Sequence, residues 1–132
     1  MRIVDGDTVV VSLGGVDEKI RLIGIDTPES VDPRRPVECF GKEATAHINE
    51  LIPPGTSVRV ERDVEARDRY DRLLAYLYRS DDDLFVNQQM LADGFANTAT
   101  YPPNVTHVDS FLVAERSARA DGRGLWSACP HE

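Results

Sequence analysis

Nine consecutive residues, Arg21-Leu22-Ile23-Gly24-Ile25-Asp26-Thr27-Pro28-Glu29, place a guanidinium, two carboxylates and a threonine at the exit of one apolar strand. A guanidinium presents planar paired donors that clamp a phosphate and stays charged at any ordinary pH. An aspartate can hold a hard metal ion. A glutamate close by can orient and deprotonate water. Those are the parts that hydrolysis of a phosphodiester requires. Asp5-Gly6-Asp7-Thr8 lies upstream, and Asp68-Arg69-Tyr70-Asp71-Arg72 lies downstream.

Each residue also has a plain structural reading. Asp7 and Asp26 can simply end strands and accept turn hydrogen bonds. Arg21 and Arg72 can be surface residues of strands, and Glu29 a solvated loop carboxylate. Tyr70 and Tyr101 can be rim residues. Asp5-x-Asp7 does not continue as an EF-hand loop. The catalytic reading therefore depends on elements that bring the three segments together.

Val9, Val11 and Leu13 alternate with Val10 and Ser12, and Gly14-Gly15 supplies a turn. Residues 20 to 25 form a second apolar strand, so the pair reads as a hairpin. That hairpin can carry Asp7 and Asp26 to one place. Pro28, Pro33 and Pro36 mark a loop over residues 28 to 38. Phe40, Ala44, Ile48 and Leu51 recur at helical spacing, and Pro53-Pro54-Gly55 ends that helix. Strands follow over 58–64, 73–78 and 84–86, with Asp81-Asp82-Asp83 as a turn. A second helix over 87–92 ends at Gly94. A third runs over 108–120, with Thr106 and Asp109 as a capping pair and Gly122 beyond its end. Five short strands plus helices suit an OB-type barrel.

A chain of 132 residues suits one domain spanning residues 1–132, with 41% apolar residues for its core. No apolar run approaches the roughly 18 residues of a membrane span. No charged-then-apolar leader opens the chain, which begins almost inside its first strand. The net charge is −8, against the positive surface usual for a protein that binds phosphate chains. Lys19 and Lys42 are the only lysines, so the positive charge is almost all arginine, and several arginines fall in the candidate site. A local positive patch can coexist with an acidic shell, which also permits a salt-adapted origin. Cys39 and Cys129 cannot make a zinc site alone; a structural disulfide and two independent thiols are the two readings. His47 and His107 read as structural or surface groups, and His131 lies in a tail. Asn104-Val105-Thr106 matches a glycosylation sequon.

Together, Asp5-Gly6-Asp7-Thr8, the run from Arg21 to Glu29, and Asp68-Arg69-Tyr70-Asp71-Arg72 resemble the staphylococcal (micrococcal) nuclease family, in the same order and over nearly the whole chain. The resemblance implies an α+β fold, a five-stranded OB-type β-barrel with three α-helices. It implies calcium held by the carboxylates of Asp7 and Asp26 and the backbone carbonyl of Thr27. It implies that Arg21 and Arg72 contact the scissile phosphate and that Glu29 is the general base. It implies that Arg69, Tyr70 and Tyr101 hold a nucleotide. Two departures stand out. The family commonly has Gly-Arg-Gly around its second arginine, where this chain has Asp71-Arg72-Leu73. A second stacking tyrosine, two residues before Tyr101, is Ala99 here.

The expectation is a calcium-dependent phosphodiesterase that acts on DNA, with RNA an open second substrate, and leaves 3′-phosphate ends. It acts as a monomer, has no membrane association, and is secreted or held in the cell envelope, a cytoplasmic location remaining open. The alternative is a noncatalytic nucleic-acid-binding OB module, or a domain that binds calcium only for stability. The presence of Asp7, Arg21, Asp26, Glu29 and Arg72 together favours the enzyme.

Overall fold

The computed structural model describes residues 2–28 and 38–129. Strands β1 (Arg2–Asp5), β2 (Thr8–Leu13) and β3 (Val16–Leu22) run up and down in sequence. A short β4 (Ile25–Asp26) precedes helix α1 (Gly41–Leu51). Strands β5 (Val58–Glu61) and β6 (Leu73–Arg79) follow, then α2 (Val86–Ala92), β7 (Asn97–Thr98), α3 (Val108–Ala120) and the four-residue α4 (Leu125–Ala128).

The main sheet has the order β1-β2-β3-β6-β5, and β4 and β7 form a separate antiparallel pair. Among the described residues only β3 and β6 pair in parallel. Among the described residues no ladder joins β1 to β5, so the strands form a mixed sheet with two edges rather than a closed barrel. The edge strand β1 is short and its register shifts between Ile3 and Asp5. Helix α1 lies beside it, with the Thr45 hydroxyl donating to Asp5 Oδ1 at 3.2 Å. The fold is α+β.

Val9, Val11, Ile20, Leu22 and Ile25 from the first strands meet Ala75 and Leu77 of β6 in one core. Ala44 and Ile48 of α1, Met90 and Leu91 of α2, and Phe111 of α3 close over it. Four apart on α1, Ala44 and Ile48 share a face, as the helical spacing requires. In β2 the four residues Thr8 to Val11 are all buried, because β2 is covered on both faces.

Three expected elements differ, the first being the strand over 58–64, which ends at Glu61. The strand over 84–86 reduces to one bridge between Phe85 and Tyr78, and Val86 is already the first residue of α2. Asp83, at φ 59°, reverses the chain so tightly that one residue pairs before the helix begins. The capping pair at α3 does not form: His107 stands at its start, and no side chain caps it. The Thr106 N–H instead donates to Asp63 Oδ2 at 3.1 Å.

Cys39 and Cys129 are joined by a disulfide across a sequence separation of 90. It ties the entrance of α1 to the residue after α4. The bond closes most of the chain into one loop, and the loss of unfolded-state entropy gives an upper figure of about 4–5 kcal/mol. Denaturant unfolding with and without a thiol reductant reads this directly: the reduced protein unfolds at a clearly lower midpoint. Equal midpoints would mean that the bond carries no stability.

Candidate active site

The hairpin register builds the first half of the site. In the β2–β3 ladder Thr8 stands opposite Arg21, and the Leu22 N–H donates to the Asp7 carbonyl at 2.9 Å. Asp7 therefore sits beside Arg21. On the other edge of β3 the parallel ladder sets Ile20 against Leu73 and Arg21 against Leu74. Arg72 precedes Leu73, so the ladder brings the second arginine to the same end of the sheet.

The Arg21 guanidinium is held on one side by carbonyls. Its Nη1 donates to the Leu22 oxygen at 2.9 Å and to the Ile25 oxygen at 2.7 Å. Its Nη2 lies 3.5 Å from Asp7 Oδ2 and 3.5 Å from Asp26 Oδ1. One nitrogen thus faces both carboxylates. Asp7 Oδ2 also accepts the Thr27 N–H at 3.1 Å, and Asp7 Oδ1 accepts the Thr8 hydroxyl at 3.1 Å.

Gly6 allows this closeness. A Cβ there would stand 2.7 Å from Thr27 Oγ1, so the Asp5-Gly6-Asp7 turn presses on Thr27 as only glycine can. The hydroxyl of Thr27 is buried and has no hydrogen-bond partner among the described residues. Gly24 does the same between β3 and β4. Its φ is +84°, and an added Cβ would lie 2.4 Å from the Phe111 ring.

Two supports carry no signal in the catalytic motifs. Glu115 is buried on α3; its carboxylate accepts the Thr98 N–H at 2.7 Å and the Thr98 hydroxyl at 3.2 Å. Thr98 pairs with Ile25 and Asn97 with Asp26, so α3 positions the strand that bears Asp26. Asn87 is fully buried; its Oδ1 accepts the Leu77 N–H at 2.9 Å, and its Nδ2 donates to the Ile23 carbonyl at 2.9 Å. A polar residue inside an apolar helical stripe is the one trace of each in the sequence.

The second half comes from residues 68 to 72. Asp68 Oδ1 accepts the N–H groups of Tyr70 at 2.9 Å and Arg72 at 3.0 Å. Asp68 Oδ2 accepts Arg72 Nε at 2.8 Å. The terminal nitrogens of Arg72 make no hydrogen bond among the described residues, so the fork stays available. Asp71 has φ +62°, the left-handed conformation that glycine takes without cost. The turn therefore keeps a glycine-type backbone although glycine is absent. The Asp71 carboxylate points outward, 3.9 Å from Arg67 Nε.

Two hollows meet at the arginines. One, of about 240 Å³, is lined by Asp5, Asp7, Thr8, Arg21, Asp26, Thr27, Glu38 and Arg72. The other, of about 460 Å³, is a groove that also includes Arg21 and Arg72. Arg69, Tyr70 and Tyr101 line it, with Leu22, Ile23, Ile25 and Leu74 as its apolar wall and Glu65, Asp68 and Asn104 completing it. Tyr70 and Tyr101 are 64% and 69% exposed, so both rings are open to a ligand. Arg69 donates to the Tyr70 hydroxyl at 2.7 Å. The structure thus brings together Asp7, Arg21, Asp26, Thr27, Arg69, Tyr70, Arg72 and Tyr101. Glu29 lies outside the described residues.

The small hollow suits a hard cation in donor chemistry. Its walls carry four carboxylates and two guanidiniums, and its oxygens are carboxylate, hydroxyl and carbonyl. Among the described residues no three His, Cys, Asp or Glu side chains converge to enclose a metal by themselves. The oxygens of Asp7, Asp26 and Thr27 are of the kind that calcium takes as ligands.

His47 and His107 belong elsewhere. His47 bonds Asp93 at 2.8 Å and stacks on Phe95, and His107 bonds Glu61 at 2.9 Å beside Tyr76 and Phe111. Asn104 is buried, its amide held at both ends by the Glu65 backbone, so the sequon asparagine is not displayed for a sugar.

Residues 19–128 match the family described as staphylococcal nuclease homologue. The chain belongs to this family. It is 36% identical to a thermonuclease of Staphylococcus intermedius over 125 residues, covering 95% of this chain and 73% of that protein. A thermonuclease of Staphylococcus hyicus is 34% identical, with 96% and 73% covered. Endonuclease YncB of Bacillus subtilis is 36% identical, with 96% of this chain but 59% of that protein covered.

Asp68 is the keystone of the arginine turn. Burial pushes its carboxyl up, but the backbone N–H and guanidinium of Arg72 and the N–H of Tyr70 outweigh that and hold it below its ordinary value. A lowered folded-state value stabilises the protein above the ordinary carboxyl value of about 3.9, and that contribution disappears as pH falls through the lowered value. Asp68→Asn sets an amide against Arg72 Nε, and the loss of a charged hydrogen bond costs about 1.5–3 kcal/mol at neutral pH. Denaturant unfolding of both proteins across this range should show the difference shrinking in acid. A difference that stays constant down to strong acid would assign the stability to something other than the Asp68 charge.

Proposed function

We propose that this protein is a calcium-dependent nuclease that hydrolyses phosphodiester bonds of DNA, and of RNA as a second substrate, leaving 3′-phosphate ends. One observation carries the reading: Arg21 and Arg72 belong at once to a hollow walled by carboxylates and to a groove with two open tyrosine rings. A nucleotide needs both environments, charge for its phosphate and an aromatic face for its base. The naming of relatives as thermonucleases and an endonuclease supports the same class. The thermonuclease family is in general calcium-dependent, in keeping with the donor set.

In this reading Asp7, Asp26 and the Thr27 carbonyl hold calcium, which when bound supplies Lewis-acid charge and a template for the phosphate. Arg21 and Arg72 balance the charge that builds on the phosphorane-like transition state. The carbonyl and carboxylate bonds already made by Arg21, and the Asp68 bond made by Arg72, fix both guanidiniums before substrate arrives. Pre-set charges need no reorganisation at the moment of reaction. Glu29 orients water in line with the leaving 5′ oxygen and takes its proton. Arg69, Tyr70 and Tyr101 hold the nucleotide.

The five main strands belong to an OB-type arrangement left open between β1 and β5, and the chain acts as a monomer. The Cys39–Cys129 bond supports an oxidising, extracytoplasmic location. Among the described residues no helix is long and apolar enough to cross a membrane.

The purified protein, incubated with single- and double-stranded DNA and RNA, should release acid-soluble nucleotides with calcium and none with chelator. Full activity in chelator, or binding without cleavage, would overturn the reading. Two substitutions separate the roles. Glu29→Gln should slow single-turnover cleavage by roughly 10²–10⁴-fold while nucleotide affinity holds or tightens, because a negative charge leaves the phosphate's neighbourhood. Arg72→Lys should slow cleavage and also weaken affinity, because an ammonium lacks the planar fork. A Glu29→Gln protein that cleaves at the parent rate would place the base elsewhere.

A further inference from the structure

The groove contains an acidic residue that neither metal nor phosphate explains. Glu65 lines it together with Tyr70, Tyr101 and Asn104. Its main chain is clamped: the Glu65 N–H donates to Asn104 Oδ1 at 2.7 Å, and Asn104 Nδ2 donates to the Glu65 carbonyl at 3.0 Å. The next residue is tied to the sheet, since the Leu74 N–H donates to the Ala66 carbonyl at 2.8 Å. Asn104 in turn bridges to Tyr101. The backbone of Glu65 is therefore as fixed as the tyrosine beside which a base would lie.

The carboxylate itself is uncommitted. Among the described residues it makes no hydrogen bond or ion pair. Asp68, the other acid of the groove, is consumed by Arg72 and Tyr70. An uncommitted negative charge in a groove for anions repels phosphate, so it belongs to the end where the base sits. Arg21 and Arg72, which also line the acidic hollow, mark the phosphate end, and Glu65 does not line that hollow.

We propose that Glu65 reads the base in this groove and selects guanine. The proposal rests on the nuclease reading above. A carboxylate offers two parallel acceptors and no donor. Guanine alone presents two adjacent donors, N1–H and N2–H, on its Watson–Crick edge. Adenine and cytosine set one amino donor beside an acceptor, which the carboxylate repels. Thymine and uracil flank their one N–H with two carbonyls. The edge that Glu65 reads is occupied in a duplex, so the base it selects is unpaired.

Binding of deoxyguanosine and deoxythymidine 5′-monophosphates, each with calcium, tests this by calorimetry on the parent protein, Glu65→Gln and Glu65→Ala. A bidentate match discriminates by about fivefold or more, so the parent should bind the guanine nucleotide tighter by at least that factor. Both substitutions should loosen the guanine nucleotide and tighten the thymine nucleotide, because the paired acceptors and a repelling charge leave together. Opposite signs for the two bases are not what a packing defect produces. Any residue can supply the backbone groups that Asn104 clamps, so both variants keep the groove wall. Equal affinities in the parent, or a preference retained in both variants, would overturn the assignment of Glu65. If neither nucleotide binds the parent, the groove is not a nucleotide site, and the nuclease reading falls with it.

Discussion

The position of Arg21 on β3 is the constraint from which the rest of the site follows. Strand β3 has an antiparallel neighbour, β2, on one edge and a parallel neighbour, β6, on the other. One ladder sets Arg21 beside Asp7, and the other sets it beside the turn that carries Arg72. A slip of one residue in either ladder would turn Arg21 to the opposite face and bury a charge in the core. The core residues Ile20 and Leu22, each buried next to Arg21 in sequence, make such a slip costly. Hydrophobic burial thus sets the register, and the register sets the chemistry.

Where the ladders stop, buried polar side chains take over from the backbone. Asn87 replaces a strand partner for Ile23 and Leu77, Glu115 holds Thr98, and Asn104 spans both backbone groups of Glu65. Each satisfies groups that would otherwise be buried unpaired, at about 1–3 kcal/mol apiece. All three lie one step behind the site: Asn87 behind the exit of β3, Glu115 behind Asp26, and Asn104 behind the groove wall. The site is stiff because its supports are inside the protein rather than on its surface.

The net charge of −8 and an arginine-rich site are compatible because the charges are sorted locally. Several arginines outside the site are spent on neighbouring acids: Arg59 on Asp83, Arg67 on Glu18 and Arg79 on Asp82. These pairs are solvent-exposed and contribute little stability. Their effect is to remove competing positive patches. The guanidiniums of Arg21 and Arg72, fixed by carbonyls and by Asp68, remain as the positive focus of a mostly acidic surface.

Much of this was legible in the sequence. The β2–β3 hairpin, α1 and α3 follow from apolar periodicity with Gly14-Gly15, Pro53-Pro54-Gly55 and Gly122 as stops, because local backbone preferences decide them. The motif residues pointed to the family, and the structure brings most of the candidate side chains named from them to one end of the sheet. The strand over 84–86 was not legible, since Leu84-Phe85-Val86 is an apolar run that suits either state until the Asp83 turn uses up its pairing length. The cap expected at α3 does not form because Asp63, far away in sequence, claims the N–H of Thr106. Asp71 shows the same limit at the site: it stands where the family commonly has glycine, yet it takes the left-handed turn that Asp68 organises. The sequence alone determined which side chains are available and which elements carry them. Only the tertiary structure decided that Cys39 and Cys129 bond, that the sheet keeps two edges, and that Glu65 and Asn104 enter the groove. Those outcomes depend on contacts between distant segments, where burial and hydrogen-bond satisfaction outweigh local preference.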